Sequence, residues 1–198
     1  LVSVESSFAA LRINGLAGND TLTGSAWADT IDGGTGNDLM SGGNGGDTYI
    51  YISGDVDAGE TIVESSTGTG TDTISVSTST DFRNMVASSF DEIEAITLAA
   101  GLTTKFTGLQ LTGESMVVTG TAGSAESIEV YVGVGEQFSS LLTDAAGTIN
   151  NTYLIGSTGD ESIAGGAMTE TITGGTGNDV LSGGAGNDTY IFELAATN

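Results

Sequence analysis

The sequence predicts an all-β protein, a parallel β-roll or β-solenoid with two nonapeptide-repeat blocks and an intervening β-rich segment. The first observation is a nine-residue pattern that runs four times from Gly15 to Ile50 and four times again from Gly156 to Ile191. The second is that short runs of β-branched and apolar residues lie between the blocks, separated by small polar residues typical of turns. Self-similarity at a fixed period indicates a repeat fold in which neighbouring repeats stack.

Each repeat carries a large apolar residue at its eighth position and an acidic residue at its sixth. The first block reads GLAGNDTLT, GSAWADTID, GGTGNDLMS, GGNGGDTYI, and the second reads GSTGDESIA, GGAMTETIT, GGTGNDVLS, GGAGNDTYI. The apolar residues are Leu22, Ile31, Met40, Tyr49, Ile163, Ile172, Leu181 and Tyr190. Glycine allows the tight turn of the first six residues, and the last three form a short strand whose middle side chain points inward.

This pattern divides the chain into five parts. We predict a lead-in strand at 1–14, a first block at 15–50, an intervening segment at 51–155, a second block at 156–191 and a truncated further segment at 192–198. The intervening segment is either a continuation of the solenoid with longer turns or a small inserted β-sandwich, and its residues favour the first. Its predicted strands are Glu60–Val63, Thr73–Val76, Ile93–Leu98, Phe106–Leu111, Met116–Thr119, Ile128–Val132 and Thr152–Ile155, with short helices near Asp81–Phe90 and Gln137–Ala146.

Composition excludes several classes of function. The formal net charge of −23 argues against nucleic-acid partners, which require basic patches, and favours bound cations. The chain has no Cys and no His, so thiolate and imidazole metal sites are absent, and so is the most common catalytic base. No run of residues is long and apolar enough for membrane insertion. We therefore predict that the chain is not an enzyme.

The acidic positions predict a specific metal. Two nonapeptides make one coil of 18 residues, so alternate repeats stack and their acids face the same gap. The predicted ligand pairs are Asp20 with Asp38, Asp29 with Asp47, Glu161 with Asp179 and Glu170 with Asp188, and backbone carbonyls are expected at Gly34, Gly36, Gly175 and Gly177. Paired carboxylates with carbonyls form a hard, all-oxygen cage, which suits Ca²⁺ better than Mg²⁺. We predict at least four calcium ions.

Two other groups of acids lie outside the repeats. Asp55, Asp57 and Glu60 are spaced around a glycine and either hold one further Ca²⁺ ion or form a solvated loop. Asp91, Glu92 and Glu94 are predicted to be a solvated strand edge.

The repeats GGTGNDLMS, GGTGNDVLS and GGAGNDTYI resemble the consensus of the RTX (repeat-in-toxin) calcium-binding β-roll family. The resemblance implies secretion by a Gram-negative-type bacterium through a type I system, without an N-terminal signal peptide. It also implies an extracellular or cell-surface location and folding when the chain meets external calcium.

Two functions are consistent with this resemblance. One is a structural module of a secreted surface protein, such as an S-layer, adhesin or filament, which associates with identical subunits or neighbouring repeats and has cell-surface glycan as a further partner. The other is the carboxy-terminal calcium-binding region of an RTX toxin or secreted hydrolase. The matched blocks favour the first, because repeated units build length.

Overall fold

The strands of the protein all pair in parallel and build a β-solenoid of about eight turns. The computed structural model describes residues 2–3, 9–52, 55–64 and 68–192. Four sheets run along the solenoid, and consecutive strands of one sheet come from successive coils. The predicted parallel β-solenoid is confirmed.

Within each sheet the strands follow one another in the order in which they pair. Sheet 1 contains β1 (Val2–Ser3), β3 (Thr21–Thr23), β5 (Leu39–Ser41) and β7 (Thr61–Ile62). Sheet 2 contains β2 (Arg12–Asn14), β4 (Thr30–Asp32), β6 (Thr48–Tyr51), β8 (Thr73–Val76), β10 (Ala95–Leu98) and β12 (Val117–Thr119). Sheet 3 contains β9 (Thr80–Asp81), β11 (Thr103–Thr107), β13 (Glu126–Tyr131), β15 (Ile149–Ile155), β17 (Glu170–Thr173) and β19 (Thr189–Ile191). Sheet 4 contains β14 (Gln137–Ser139), β16 (Ser162–Ala164) and β18 (Val180–Ser182).

The two repeat blocks form two-sided coils. In the first block the nonapeptides alternate between sheets 1 and 2, and Asp20 contacts Asp38 at a separation of 18 residues. In the second block they alternate between sheets 4 and 3, and Glu161 contacts Asp179 at the same separation. Two nonapeptides therefore complete one coil, as their length predicts.

Between the blocks the coils are longer and have three sides. Asp47 and Asp72 meet at a separation of 25 residues, and Asp72 and Glu94 at 22. Sheet 2 continues through β8, β10 and β12, while sheet 3 begins at β9. A 3-10 turn at Ala87–Phe90 follows β7 on the third side, where the Ser89 hydroxyl accepts from Ile62 N at 3.3 Å. The helix α1 (Gly108–Leu111) comes next and contacts β14, so sheet 4 takes over from sheet 1.

The core consists of apolar side chains stacked in register along each sheet. In sheet 2 the column is Ile13, Ile31, Tyr49, Ile74, Ile96 and Val118, and all six are buried. Burying one such side chain stabilises the fold by about 1.5–3 kcal/mol. In the three-sided part, Tyr51, Phe82, Phe90 and Phe106 fill the wider interior, and the rings of Phe82 and Phe106 stack with centroids 5.1 Å apart.

Three local predictions differ from the structure. Gln137–Ala146 is not a helix, because Gln137–Ser139 pairs with Ser162–Ala164 and places Phe138 on the core column beside Ile163. Asp81–Phe90 contains two 3-10 turns, Phe82–Asn84 and Ala87–Phe90, instead of one helix. The strand predicted at Phe106–Leu111 ends at Thr107, where α1 begins.

Some predicted parts lie partly outside the described residues. The lead-in at 1–14 is described at 2–3 and 9–14, where β1 and β2 lie. The segment predicted at 192–198 lies outside them beyond Phe192. In the part of the chain that the structure describes, no helix is long and apolar enough to cross a membrane.

Candidate metal centres

The acidic sixth positions stack into columns along the turns of the solenoid. Asp20 N donates to Asp38 Oδ1 at 2.8 Å, and Asp29 N donates to Asp47 Oδ1 at 2.7 Å. In the second block, Glu161 N donates to Asp179 Oδ1 at 3.0 Å, and Glu170 N donates to Asp188 Oδ1 at 3.1 Å. The structure therefore brings together each of the four pairs predicted from the repeat spacing.

The second carboxylate oxygen distinguishes these acids from ordinary capping residues. Among the described residues, Asp20 Oδ2, Asp38 Oδ2, Asp47 Oδ2 and Glu170 Oε2 are buried and have no hydrogen-bond partner. A buried polar atom without a partner costs about 1–3 kcal/mol, and more when it is charged. Stacked carboxylates with unpartnered oxygens fit a bound cation, which would satisfy both the charge and the oxygens.

The glycines bring the backbone of adjacent coils close to these carboxylates. Gly34 and Gly36 have φ of +85° and +123°, and a Cβ on either residue would strike the carbonyl of Leu16 or Gly18 in the preceding coil. Gly175 and Gly177, at +88° and +139°, lie in the same way against Ser157 and Gly159.

The first glycine of a repeat lies against the carboxylate of the same repeat, as Gly24 shows. A Cβ on Gly24 would lie 2.5 Å from Asp29 Oδ2 and would also strike the carbonyl of Gly42. Carboxylate and carbonyl oxygens therefore converge where only glycine leaves space. These donors are all hard oxygens, so the residues present fit Ca²⁺.

Burial makes the ionised form of three of these acids less favourable without a cation. Burial, together with the negative charges of Asp72 and Asp29, raises the pKa of Asp47 to about 6. Burial, together with the Asp188 carboxylate, raises the pKa of Glu170 to about 7. Burial and the charge of Asp20 also raise the pKa of Asp38. A bound cation would reverse these effects because it favours the charged carboxylate.

Two of the predicted ligands make different contacts. Asp29 Oδ2 accepts from Ser25 N at 2.5 Å, and Glu161 Oε2 accepts from Ser157 N at 3.0 Å. Although burial raises the pKa of Glu161, hydrogen bonds from Ser157 and Gly135 outweigh it and lower the pKa. Serine at the second position also adds a hydroxyl donor that glycine lacks, because Ser25 Oγ donates to Asp29 Oδ1 at 3.2 Å and Ser157 Oγ donates to Glu161 Oε1 at 2.8 Å.

The acidic column on sheet 2 extends past the repeats, a feature that the repeat spacing did not predict. Asp47 N donates to Asp72 Oδ1, and Asp72 N donates to Glu94 Oε2, both at 2.7 Å. The run TGTGTDTIS at 67–75 is a displaced nonapeptide with Asp72 in the sixth position and Ile74 in the eighth, and this signal was visible in the sequence. The prediction of a solvated edge is wrong for Glu94, which is half-buried in this column, whereas Asp91 and Glu92 are exposed.

The acids at 55–60 occupy three different environments. Asp55 is buried and its Oδ2 accepts from Ile52 N at 2.6 Å, while Asp57 is exposed and its Oδ2 accepts from Gly36 N at 3.2 Å. Burial and the charge of Asp38 raise the pKa of the buried Glu60 to about 8. Within the described ranges, three carboxylates lie close together at another place, where Asp47, Glu64 and Asp72 meet.

Comparison with known proteins identifies the repeats. The sequence model of the RTX calcium-binding nonapeptide repeat (4 copies) matches residues 12–49 and 164–194. No curated protein and no solved structure matches the chain.

Proposed function

Since the chain carries the calcium-binding nonapeptide repeats of the RTX family, we propose that it is a Ca²⁺-binding structural module of a secreted bacterial cell-surface protein. In this proposal the module folds and assembles when it meets extracellular calcium. The observation that carries the proposal is the set of stacked acids with buried, unpartnered oxygens, represented by Asp38, Asp47 and Glu170.

Calcium would supply the positive charge that these columns lack. The chain has 3 Lys+Arg against 26 Asp+Glu, and in the described part the two ion pairs are Arg83 with Asp81 and Lys105 with Glu129. Both of these cations pair with acids outside the stacked columns, so the stacked carboxylates repel one another in the absence of metal.

The glycine-rich turns and short strands of the two blocks make their folding depend on bound calcium. Glycine loses more conformational freedom on folding than any other residue, so the turns of both blocks carry a large entropic cost. A short strand such as Thr30–Asp32 or Glu170–Thr173 buries only one apolar side chain, Ile31 or Ile172. Because the metal sites exist only between stacked coils, calcium-binding free energy becomes folding free energy.

The structural role is supported by the continuity of the solenoid. Strands of the segment between the blocks extend sheets 2 and 3, so the chain is one rod-like repeat unit in which each coil contacts its neighbours. Such units build arrays, and we propose self-association with identical subunits or neighbouring repeats, with cell-surface glycan as a further partner. We propose no catalytic role, since the chain has no His and its stacked carboxylates serve as metal ligands.

The experiment is a calcium titration of the full chain, followed by circular dichroism and light scattering together. The proposal predicts a cooperative gain of β signal between micromolar and millimolar calcium, with scattering rising in step. Gain of β signal with flat scattering would contradict self-assembly and favour the calcium-binding region of a secreted toxin or hydrolase. No spectral change would contradict the calcium-gated fold itself.

A further inference from the structure

We propose that a junction cluster, consisting of Asp47, Glu64 and Asp72, binds a further Ca²⁺ ion where the first block joins the three-sided coils. Glu64 and Asp72 lie outside the residues that match the nonapeptide family. The proposal rests on the proposed calcium-binding function. Its test can refute the junction site while that function stands.

The three carboxylates meet in space although they come from different coils. Each offers one oxygen, and these oxygens lie within 4.8 Å of one another. Asp47 is fully buried, Asp72 is 8% exposed and Glu64 is half-buried at the rim. The Asp47 N–H donates to Asp72 Oδ1 at 2.7 Å, which fixes the two aspartates against each other.

A second observation points to a ligand in this cluster. Among the described residues, Asp47 Oδ2 is buried and has no hydrogen-bond partner. This oxygen packs against Gly42, and Gly42 N in turn donates to Glu64 Oε1 at 3.1 Å. The unpartnered oxygen of Asp47 is therefore on the side of the coil that Glu64 occupies.

The backbone around the cluster repeats the turn geometry of the nonapeptides. Gly70 has φ of +129°, close to the +122° of Gly45 in the coil beneath it. Gly45 N donates to the carbonyl of Thr69 at 3.0 Å. A Cβ on Gly46 would lie 2.9 Å from the carbonyl oxygen of Thr71. Residues 68–75 of the displaced repeat thus stack on the fourth nonapeptide, and the longer coil between the two repeats supplies Glu64 as an additional carboxylate.

The donor set favours calcium as the occupant. Neither of the two ion pairs in the described part of the chain involves Asp47 or Asp72. The donors are all hard carboxylate oxygens, and Ca²⁺ accepts such oxygens in a flexible geometry, whereas Mg²⁺ demands a near-ideal octahedron and retains several waters.

The test counts calcium ions per chain by native mass spectrometry of the full protein at saturating calcium. It compares Glu64→Ala with Glu92→Ala, which removes an exposed carboxylate elsewhere on the solenoid. The proposal predicts one ion fewer for Glu64→Ala and an unchanged count for Glu92→Ala. The proposal is wrong if Glu64→Ala and Glu92→Ala bind the same number of calcium ions. It is also wrong if the site that Glu64→Ala removes binds Mg²⁺ more strongly than Ca²⁺.

A second variant protects the test against a folding defect. Asp72→Asn keeps the shape of the side chain and is also expected to lose one ion, with the β signal in calcium retained. If the wild type binds no calcium, the proposed function fails as a whole. If the wild type binds calcium and both Glu64→Ala and Asp72→Asn bind as many ions as it does, only the junction site is refuted.

Discussion

Alanine substitution at two glycines with the same φ angle measures how much the close contact between stacked coils contributes to stability. Gly18 and Gly36 both have φ of +123°, and they occupy the fourth position of repeats that stack on each other. A Cβ on Gly18 would meet nothing within 4 Å, whereas a Cβ on Gly36 would strike the Gly18 carbonyl. Alanine at either position carries the same conformational strain, of about 1–2 kcal/mol. Only Gly36→Ala adds a steric term, of about 1–3 kcal/mol for overpacking.

The assay is chemical denaturation of each variant in saturating calcium, followed by circular dichroism. We expect Gly18→Ala to lower the free energy of unfolding by about 1–2 kcal/mol and Gly36→Ala by about 2–5 kcal/mol. The calcium midpoint should rise in the same order, because spreading these two coils also separates Asp20 from Asp38. Equal losses for the two variants would refute the conclusion that the stacked coils close around the metal.

Three further perturbations test the acidic columns. Asp38→Asn should raise the calcium midpoint by about tenfold or more, since it removes a charged ligand worth about 1.4 kcal/mol or more. Asp91→Asn, an exposed control, should leave the midpoint unchanged in the same titration. In chelator, the β signal that the blocks retain should be largest below about pH 4 and should be lost as the pH rises through about 6 to 7, because the folded chain raises the pKa of Asp47 and Glu170 and so binds protons more tightly than the unfolded chain. In calcium the order reverses: the calcium midpoint should fall as the pH rises from 5 to 8, and a midpoint independent of pH would show that these carboxylates do not bind the ion. Chelation of the folded protein should remove the β signal of both blocks, and retention of that signal would contradict calcium-dependent folding.

The core column and the acidic pairs of the repeat blocks could be predicted from the sequence because every coil there has the same length. A constant 18 residues keeps residues such as Ile13 and Ile31 in register, so both the core column and the acidic pairs follow from counting. The fixed period also selects the inward side chain of each strand, because it buries Met40 at the eighth position and leaves the neighbouring Leu39 exposed.

The junction cluster could not be found by counting because the coil length changes there. The step from Asp47 to Asp72 spans 25 residues, so Asp72 falls out of phase with the block although its own repeat is well formed. Glu64 belongs to no repeat. It follows β7 of sheet 1, and Gly42 N in the coil before it donates to its Oε1 at 3.1 Å. A search for displaced repeats would have identified Asp72 but not Glu64.

Local preferences were misleading where sheet pairing decides the structure. The stretch Gln137–Ala146 lacks the glycine-rich turn that marks the nonapeptides, yet Phe138 completes the column that continues through Ile163. Parallel pairing with β16 therefore overrides the helical tendency of this stretch. At Gly108–Leu111 a short helix replaces the end of a predicted strand. The Gln110 side chain donates to the carbonyls of Phe82 and Met85 and holds this helix against the third side of the coil.

The central claim is that calcium closes the coils of the two blocks, and amide hydrogen exchange tests it most directly. The Asp29 and Glu170 amides each donate to an acid of the next coil, whereas β13 pairs with β11 and β15, which both lie outside the nonapeptide blocks. The claim predicts that calcium slows exchange at Asp29 and Glu170 by orders of magnitude, and that chelator restores fast exchange at both. Equal protection of these two amides with and without calcium would contradict it.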